Sequence, residues 1–211
     1  MVDLNKTWFS DIREMKINVD VEGLIQVLKH DDDFQREAAA WVLGEIGDKK
    51  AINELVKHSL NDVSYVRREA FRALVTIAGD DLPISMKVPK SPTYMCSLDI
   101  PPESIEWPPN CCICLSPPEV LKETLCKGLY TTQIAPTYTR YASFIRVTRV
   151  PYCQNCLRKT KKRFFSEKEG VEIELIIGDS RDELHVIRAT NVQFRNPLYA
   201  KKFLELNNLL G

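Results

Sequence analysis

The chain has 211 residues, 44% of them hydrophobic and 27% charged, which is the composition of a globular protein of one large or two small domains and excludes a disordered or rod-like chain. Its 29 basic and 29 acidic residues cancel, which argues against a polycation that coats nucleic acid by charge alone. No apolar run approaches the roughly 18 residues of a membrane-spanning helix, and the first residues lack the basic head and apolar stretch typical of a secretory leader. We therefore expect no membrane contact and a cytoplasmic location.

Residues 1–80 contain neither proline nor cysteine, and their apolar side chains recur at spacings of three and four. This pattern predicts amphipathic helices, the first of which is a capping helix. The predicted helices are residues 7–15, 20–29, 33–46, 49–59 and 63–78. Aspartates stand where helices are predicted to begin, and glycines where two of them are predicted to end. These residues are Asp20, Asp33, Asp48, Asp62, Gly47 and Gly79.

The helical part contains an internal repeat. Residues 36–48 align with residues 68–80 without a gap, and Arg, Glu, Ala, Gly and Asp recur in register. The segments Ala39–Asp48 and Val66–Ala70 resemble the HEAT-like repeats first described in phycobilin lyases. The resemblance implies a short α-solenoid but no single function, because similar repeats occur in lyases and in many adaptors. A lyase-like enzyme acting on a small cofactor is therefore one alternative. Similar repeats in a di-iron hydroxylase carry His-Glu pairs as iron ligands, and this sequence has no such pair.

Prolines mark the end of the helical part. Nine of the twelve prolines lie between Pro83 and Pro118, where they disfavour helix and favour extended chain. We therefore predict a HEAT-like domain over residues 1–80, a Pro-rich linker over 81–110 and a second domain over 111–211.

The second domain contains two Cys-x-x-Cys pairs. The pairs are Cys111 with Cys114 and Cys153 with Cys156, and this spacing is typical of a tetrahedral Zn²⁺ site with a structural role. A redox motif would need a βαβ unit that the sequence does not supply, whereas iron or an iron–sulfur cluster is an alternative occupant. Cys112 is an alternative ligand to Cys111, but it leaves one residue too few for the usual turn. The remaining thiols have no partner at ligand spacing, and we expect small buried or linker residues there: Cys96 and Cys126.

The region around the cysteine pairs has the pattern of strands and short helices. Alternating apolar residues predict a hairpin between the pairs, and a helix is expected directly after the second pair. Two more strands and a closing helix follow. The hairpin strands are 129–133 and 143–150, the helix is 157–168, the later strands are 171–177 and 184–194, and the closing helix is 197–210. The order of knuckle, hairpin and knuckle at a helix start resembles a treble clef or a zinc ribbon, which implies zinc and no particular activity. The predicted fold class is α+β.

A basic run follows the second cysteine pair and adjoins Phe164 and Phe165. Its cations are Arg158, Lys159, Lys161, Lys162 and Arg163. Such a run can bind phosphates, or it can be a solvated helix face that offsets the net negative charge of a four-thiolate zinc site. Catalytic triad, Walker and dinucleotide-binding signatures are absent from the sequence. We therefore expect a non-catalytic adaptor that binds a protein partner, with a zinc-dependent nucleic-acid-binding module as the first alternative.

Overall fold

The computed structural model describes residues 8–82, 89, 92–99, 101–135, 138–160, 170–178 and 186–210. The chain divides into two compact units, Met1–Lys87 and Val88–Gly211. The helices are α1 (Trp8–Ile17), α2 (Val21–Val27), α3 (Asp33–Ile46), α4 (Ile52–Asn61), α5 (Ser64–Ala78), α6 (Gln154–Thr160) and α7 (Pro197–Leu206). The strands are β1 (Tyr94–Leu98), β2 (Val120–Ala135), β3 (Tyr138–Tyr152), β4 (Val171–Gly178) and β5 (Val186–Phe194). The α+β class predicted from the sequence is confirmed.

The N-terminal unit consists of α1 to α5, as the helical periodicity predicts. Its caps follow the sequence with two corrections. Helix α5 begins after Val63 without a side-chain cap, so Asp62 does not cap it as predicted. Asp20 accepts a hydrogen bond from the Gly23 amide at 2.9 Å, but α3 is capped by Asp32 and not by Asp33. Helix α3 ends at Gly47, whose φ of 77° is left-handed and suits a residue without Cβ.

Close packing of α3 against α5 joins the two repeats. A Cβ added at Gly44 would lie 2.9 Å from the Cβ of Ala73, so the small residues set the distance between these helices. Large apolar side chains from α2 to α5 fill the core and are fully buried, which supplies most of the stabilisation of such a unit. They are Leu24, Leu28, Leu43, Leu55, Phe71 and Leu74.

A buried ion network also links the repeats. Arg36 donates two hydrogen bonds to the carboxylate of Asp62, at 2.9 and 2.7 Å, and its third nitrogen donates to the carbonyls of His30 and Asp31. The ring of His58 lies 2.7 Å from Asp62. The Asp62 side chain is only 7% exposed. The network therefore joins the loop before α3 to the turn between α4 and α5.

The C-terminal unit is built on one five-stranded sheet with the order β1-β5-β4-β2-β3. Strands β2 and β3 form the predicted hairpin, and it is longer at both ends than the apolar alternation indicates. The pairs β1–β5 and β4–β5 are also antiparallel, whereas β2 and β4 are parallel. Helix α7 contacts β1 and β5.

The structure differs from the predicted linker at 81–110. Strand β1 lies inside that range and pairs with β5 from Tyr94↔Phe194 to Leu98↔Thr190, and the compact units divide between Lys87 and Val88. The prolines stand on either side of β1 and none lies within it. Because β1 is an edge strand, flanking prolines do not interrupt its pairing.

An aromatic cluster forms the core between the sheet and α7. Trp107 contacts Phe194 and Phe203, with ring centroids 6.4 and 5.3 Å apart, and its indole nitrogen donates to Thr148 at 3.0 Å. Tyr199 on α7 lies 5.8 Å from Phe194. Residues before the first cysteine pair thus contribute to the same core as the last helix.

Two predicted elements of the C-terminal unit fall partly outside the described residues. The helix expected over 157–168 is seen as α6, which begins three residues earlier, and residues 161–169 are not described. The start of the strand expected at 184–194, including His185, is likewise not described. Among the described helices, none has both the length and the apolar character needed to cross a membrane.

Candidate metal centre

The first cysteine pair lies in a tight turn. The amide of Cys111 donates to the carbonyl of Ser116 at 2.8 Å, and the amide of Leu115 donates to the carbonyl of Cys111 at 3.0 Å. Leu115 has a φ of 65°, a left-handed conformation that costs a residue with a Cβ about 1 kcal/mol or more. The Asn110 side chain donates to the Leu115 carbonyl at 3.0 Å and holds the turn closed.

The second pair lies where β3 passes into α6. Cys153 follows the last residue of β3, and Cys156 stands in the first turn of the helix. The Cys156 amide points to the Cys153 sulfur at 3.5 Å, and the Leu157 amide donates to the Cys153 carbonyl at 3.0 Å. Amides at a helix start stabilise negative charge, so this turn favours a thiolate at Cys153.

The fold brings the two pairs together. The sulfur atoms of Cys111, Cys114, Cys153 and Cys156 all lie within 4.8 Å of one another, and those of Cys114 and Cys153 are 3.6 Å apart. Sulfur ligands at about 2.3 Å around a tetrahedral ion are separated by about 3.8 Å. Small side-chain movements would therefore place the four sulfurs around one ion. Three of the four residues are buried and Cys114 is exposed.

The other cysteines lie outside this group. The sulfur of Cys112 lies against Gly170, where an added Cβ would be 2.6 Å from it, and burial raises the pKa of this thiol. The structure therefore places Cys111 in the group and leaves Cys112 out. Cys96 and Cys126 are buried, as expected.

The electrostatics of the group favour a bound cation. Burial raises the pKa of Cys153, but hydrogen bonds from the Cys156 amide and from neighbouring side chains more than offset this and lower it to about 6. Burial raises the pKa of Cys111 and Cys156. Four thiolates cannot share so small a space without a positive charge among them, so full ionisation of the group requires a metal ion.

Hydrogen bonds anchor the first pair to the rest of the unit. The amide of Cys112 donates to the carbonyl of Pro151 in β3 at 3.0 Å. The buried side chain of Asn196, which caps α7, donates to the carbonyl of Ile113 at 2.7 Å. Tyr199 on α7 donates to the carbonyl of Pro108 at 3.3 Å. The position of Cys111 and Cys114 is thus fixed by the sheet and by the last helix, and the sequence contains no local signal of this.

The basic run is described only in part. Arg158 and Lys159 lie on α6 and are exposed. Lys161, Lys162 and Arg163 fall outside the described residues. The structure therefore places two of the five predicted cations at the surface directly after the metal centre.

In the comparison with known proteins, one family model matches part of the chain. A family model described as HEAT repeats matches residues 20–83, which covers α2 to α5. No curated protein and no solved structure matches the chain significantly. The HEAT repeat predicted from the internal repeat is thus confirmed, and the C-terminal unit has to be understood from its own geometry.

Proposed function

We propose that the protein is a non-catalytic adaptor in which the HEAT unit binds a protein partner and the C-terminal unit is stabilised by one structural Zn²⁺. The observation that carries the zinc is the convergence of four cysteine sulfurs within 4.8 Å. HEAT repeats commonly present extended surfaces to partners, and this supports the adaptor role. The seven cysteines are all unpaired thiols, which suits a reducing compartment such as the cytoplasm.

The donor set favours zinc in a structural role. Four thiolates fill all positions of a tetrahedral ion, and a site without an open position cannot bind a substrate or an activating water. We propose Cys111, Cys114, Cys153 and Cys156 as the ligands, in a treble-clef-like order of knuckle, hairpin and helix start. Metal binding then stabilises the fold because it joins the turn before β2 to the junction of β3 and α6.

Elemental analysis of the full chain, purified without chelator, tests the metal. We expect one zinc per chain, and we expect Cys153→Ser with Cys156→Ser to abolish binding, whereas Cys126→Ala should retain it because that thiol lies outside the group. Detection of iron instead of zinc would show that the ion at this site is iron. Metal-free wild-type protein that is fully folded would refute a structural metal.

An aromatic face on the HEAT unit is the surface that we propose for the partner. Phe34 is 61% exposed and Trp41, two turns later on α3, is 42% exposed. The ring of Tyr65 on α5 stacks on Phe34 with centroids 5.7 Å apart. Exposed aromatic residues held by their neighbours are typical anchors of protein interfaces.

Capture of partners by the immobilised full chain tests this surface. We expect Phe34→Ala with Trp41→Ala to lose specific partners that the wild type retains. The matched control is Leu198→Ala with Leu206→Ala, which removes two side chains of α7 that are 43% and 40% exposed in the C-terminal unit. Identical capture by both double variants would contradict the assignment. A small chromophore retained through purification would favour the lyase-like alternative.

A further inference from the structure

The zero net charge of the chain conceals a strong local asymmetry. Residues 124–166 contain nine basic residues and no acidic residue. All 29 acidic residues and the other 20 basic residues lie outside this segment, and this remainder has a net charge of −9. The segment therefore has an electrostatic character that the composition of the whole chain does not reveal. The cations are Lys127, Arg140, Arg146, Arg149, Arg158, Lys159, Lys161, Lys162 and Arg163.

The described part of the acid-free segment, residues 124–135 and 138–160, forms an elongated part of the fold. It includes most of β2, all of β3 and all of α6. Strands β2 and β3 have 16 and 15 residues, whereas β4, the other neighbour of β2, has 8. At about 3.3 Å per residue the hairpin is about 50 Å long. Since β3 is an edge strand of the sheet, one side of this hairpin has no neighbouring strand among the described residues.

The described cations of this segment are open to solvent. The Arg149 side chain is 69% exposed and lies 3.9 Å from the equally exposed Glu123, and Arg146 is 44% exposed and lies 3.2 Å from Glu103. Exposed ion pairs of this kind contribute only about 0–1 kcal/mol, so they do not hold the two arginines firmly and leave their guanidinium groups free to turn toward a phosphate.

The hairpin passes directly into α6 at the metal centre, because only Cys153 separates the end of β3 from the start of the helix. Arg149 stands four residues before Cys153, and Arg158 stands two residues after Cys156. Because these two cysteines belong to one group of sulfurs, the strand and the helix that carry the cations leave from a common point. The cations of β3 and α6 therefore lie on two elements that meet at the metal centre.

We propose that the β2–β3 hairpin and α6 form a nucleic-acid-binding surface that contacts the phosphodiester backbone. An elongated, basic, two-stranded ribbon fits the shape and charge of nucleic acid, because phosphates recur along the polymer at short intervals. Backbone contacts of this kind discriminate weakly between sequences. The protein would thereby connect a protein partner on the HEAT unit to a nucleic acid.

Fluorescence anisotropy with the zinc-loaded full chain tests the proposal. The probes are labelled mixed-sequence RNA of about 20 nucleotides and a DNA duplex of about 20 base pairs, titrated between roughly 50 and 300 mM KCl. We expect binding that weakens steeply with salt. Neutralising three cations in Arg149→Gln, Arg158→Gln and Lys159→Gln together should weaken RNA binding at least tenfold and reduce the logarithmic salt slope by about 2.

A matched variant separates a specific surface from general charge. Lys49→Gln, Lys50→Gln and Lys57→Gln remove three cations of the HEAT unit that are 71%, 65% and 66% exposed and are also ion-paired. This variant should bind as the wild type does. Zinc content and circular dichroism verify that both variants are folded. Absence of binding to both probes, or equal loss of binding in the two variants, would overturn the proposal. Comparison of the two probes shows whether RNA or duplex DNA is preferred.

Discussion

The two units of the chain are stabilised by contacts of very different range along the sequence. In the HEAT unit the ion pairs that link the repeats join residues 26 to 31 positions apart, such as Arg36 with Asp62 and Arg68 with Glu37. In the C-terminal unit Asn196 donates to Ile113 across 83 residues and Asn207 donates to Glu106 across 101. The helical unit is thus built from neighbouring pieces, whereas the sheet unit depends on distant ones.

This difference determines what each unit needs for stability. Helix packing and caps can be satisfied repeat by repeat, so loss of one contact in the HEAT unit leaves the others in place. The cysteine turns of the C-terminal unit have little apolar material of their own, and they are positioned by contacts that must all form together. We expect the two units to respond differently to each of the following changes.

Removal of the metal should have the largest effect. The chelated protein, or the variant Cys153→Ser with Cys156→Ser, is expected to lose the folded C-terminal unit because zinc binding contributes on the order of 10 kcal/mol in small zinc domains. Hydrogen exchange measured by mass spectrometry should show loss of protection in β1 to β5. Protection of α3 and α5 should persist. Loss of protection in both units, or in neither, would contradict the comparison.

The next largest effect is expected in the HEAT unit when Asp62 is replaced. Asp62→Ala leaves the largely buried Arg36 without its carboxylate, which typically costs about 3–5 kcal/mol. Thermal unfolding should shift accordingly, while zinc content stays unchanged. The control is Glu22→Ala, which removes the partner of Lys50 in an exposed pair and should cost under about 1 kcal/mol. Equal effects of the two variants would contradict a central role for the network.

Asp62 also predicts a pH dependence. Burial raises its pKa, but hydrogen bonds from Arg36 and His58 outweigh this and lower the pKa from 3.8 to about 2. Between these values the unfolded chain binds more protons than the folded one, so stability is complete above about pH 4 and falls as the pH approaches 2. The loss is about 2 kcal/mol. Denaturant unfolding across this range should show a smaller acid loss in Asp62→Asn.

A smaller effect on stability should follow from Gly170→Ala. The added Cβ would lie 2.6 Å from Cys112 Sγ and from Ile113 Cγ1. These two residues stand between the ligands Cys111 and Cys114 in the sequence, and such overpacking costs about 1–3 kcal/mol. Zinc transfer from Gly170→Ala to a chromogenic chelator should be faster than zinc transfer from the wild type. Gly44→Ala, which has a comparably close approach in the HEAT unit, should leave zinc transfer unchanged. Zinc transfer from Gly170→Ala at the wild-type rate would show that the turn tolerates the methyl group.

The smallest effect is expected at a helix cap. Asp32 accepts hydrogen bonds from the amides of Phe34 and Gln35 at 2.8 and 3.3 Å, and replacing such a cap by alanine costs about 1 kcal/mol. Asp33→Ala, at the adjacent position that the sequence favours, should cost less than Asp32→Ala by chemical denaturation. A larger loss of stability in Asp33→Ala than in Asp32→Ala would identify Asp33 as the cap.

Sequence patterns predict the HEAT unit better than the C-terminal unit because the contacts of the HEAT unit lie closer together along the chain. The bounds of α3 and its end at Gly47 follow from periodicity and a local turn preference. The predicted cap of α3, Asp33, differs by one residue from the observed cap, Asp32. The two residues and Asp31 have the same side chain, and only the backbone geometry selects among them. The role of Asp62 in the buried network was missed because its partner Arg36 lies in another repeat.

The C-terminal unit combines a strong local signal with contacts that the sequence does not encode locally. The spacing of the cysteine pairs predicted which sulfurs meet, and the hairpin between them followed from alternation. Strand β1 was missed because the surrounding prolines indicate extended chain, and they carry no information about a partner strand near residue 190. The contact of Asn196 with Ile113 has no motif at all.

The pairing of β1 with β5 has a consequence for biosynthesis. Tyr94 pairs with Phe194, 100 residues later in the chain, so β1 has no strand partner until β5 has left the ribosome. Translation adds about 5–20 residues per second, which leaves β1 unpaired for several seconds while the HEAT unit, made earlier from local contacts, can already fold. During that interval the cysteine turns lack the helix α7 that anchors them. Completion of the sheet unit, and with it stable metal retention, is therefore a late event in the life of the nascent chain.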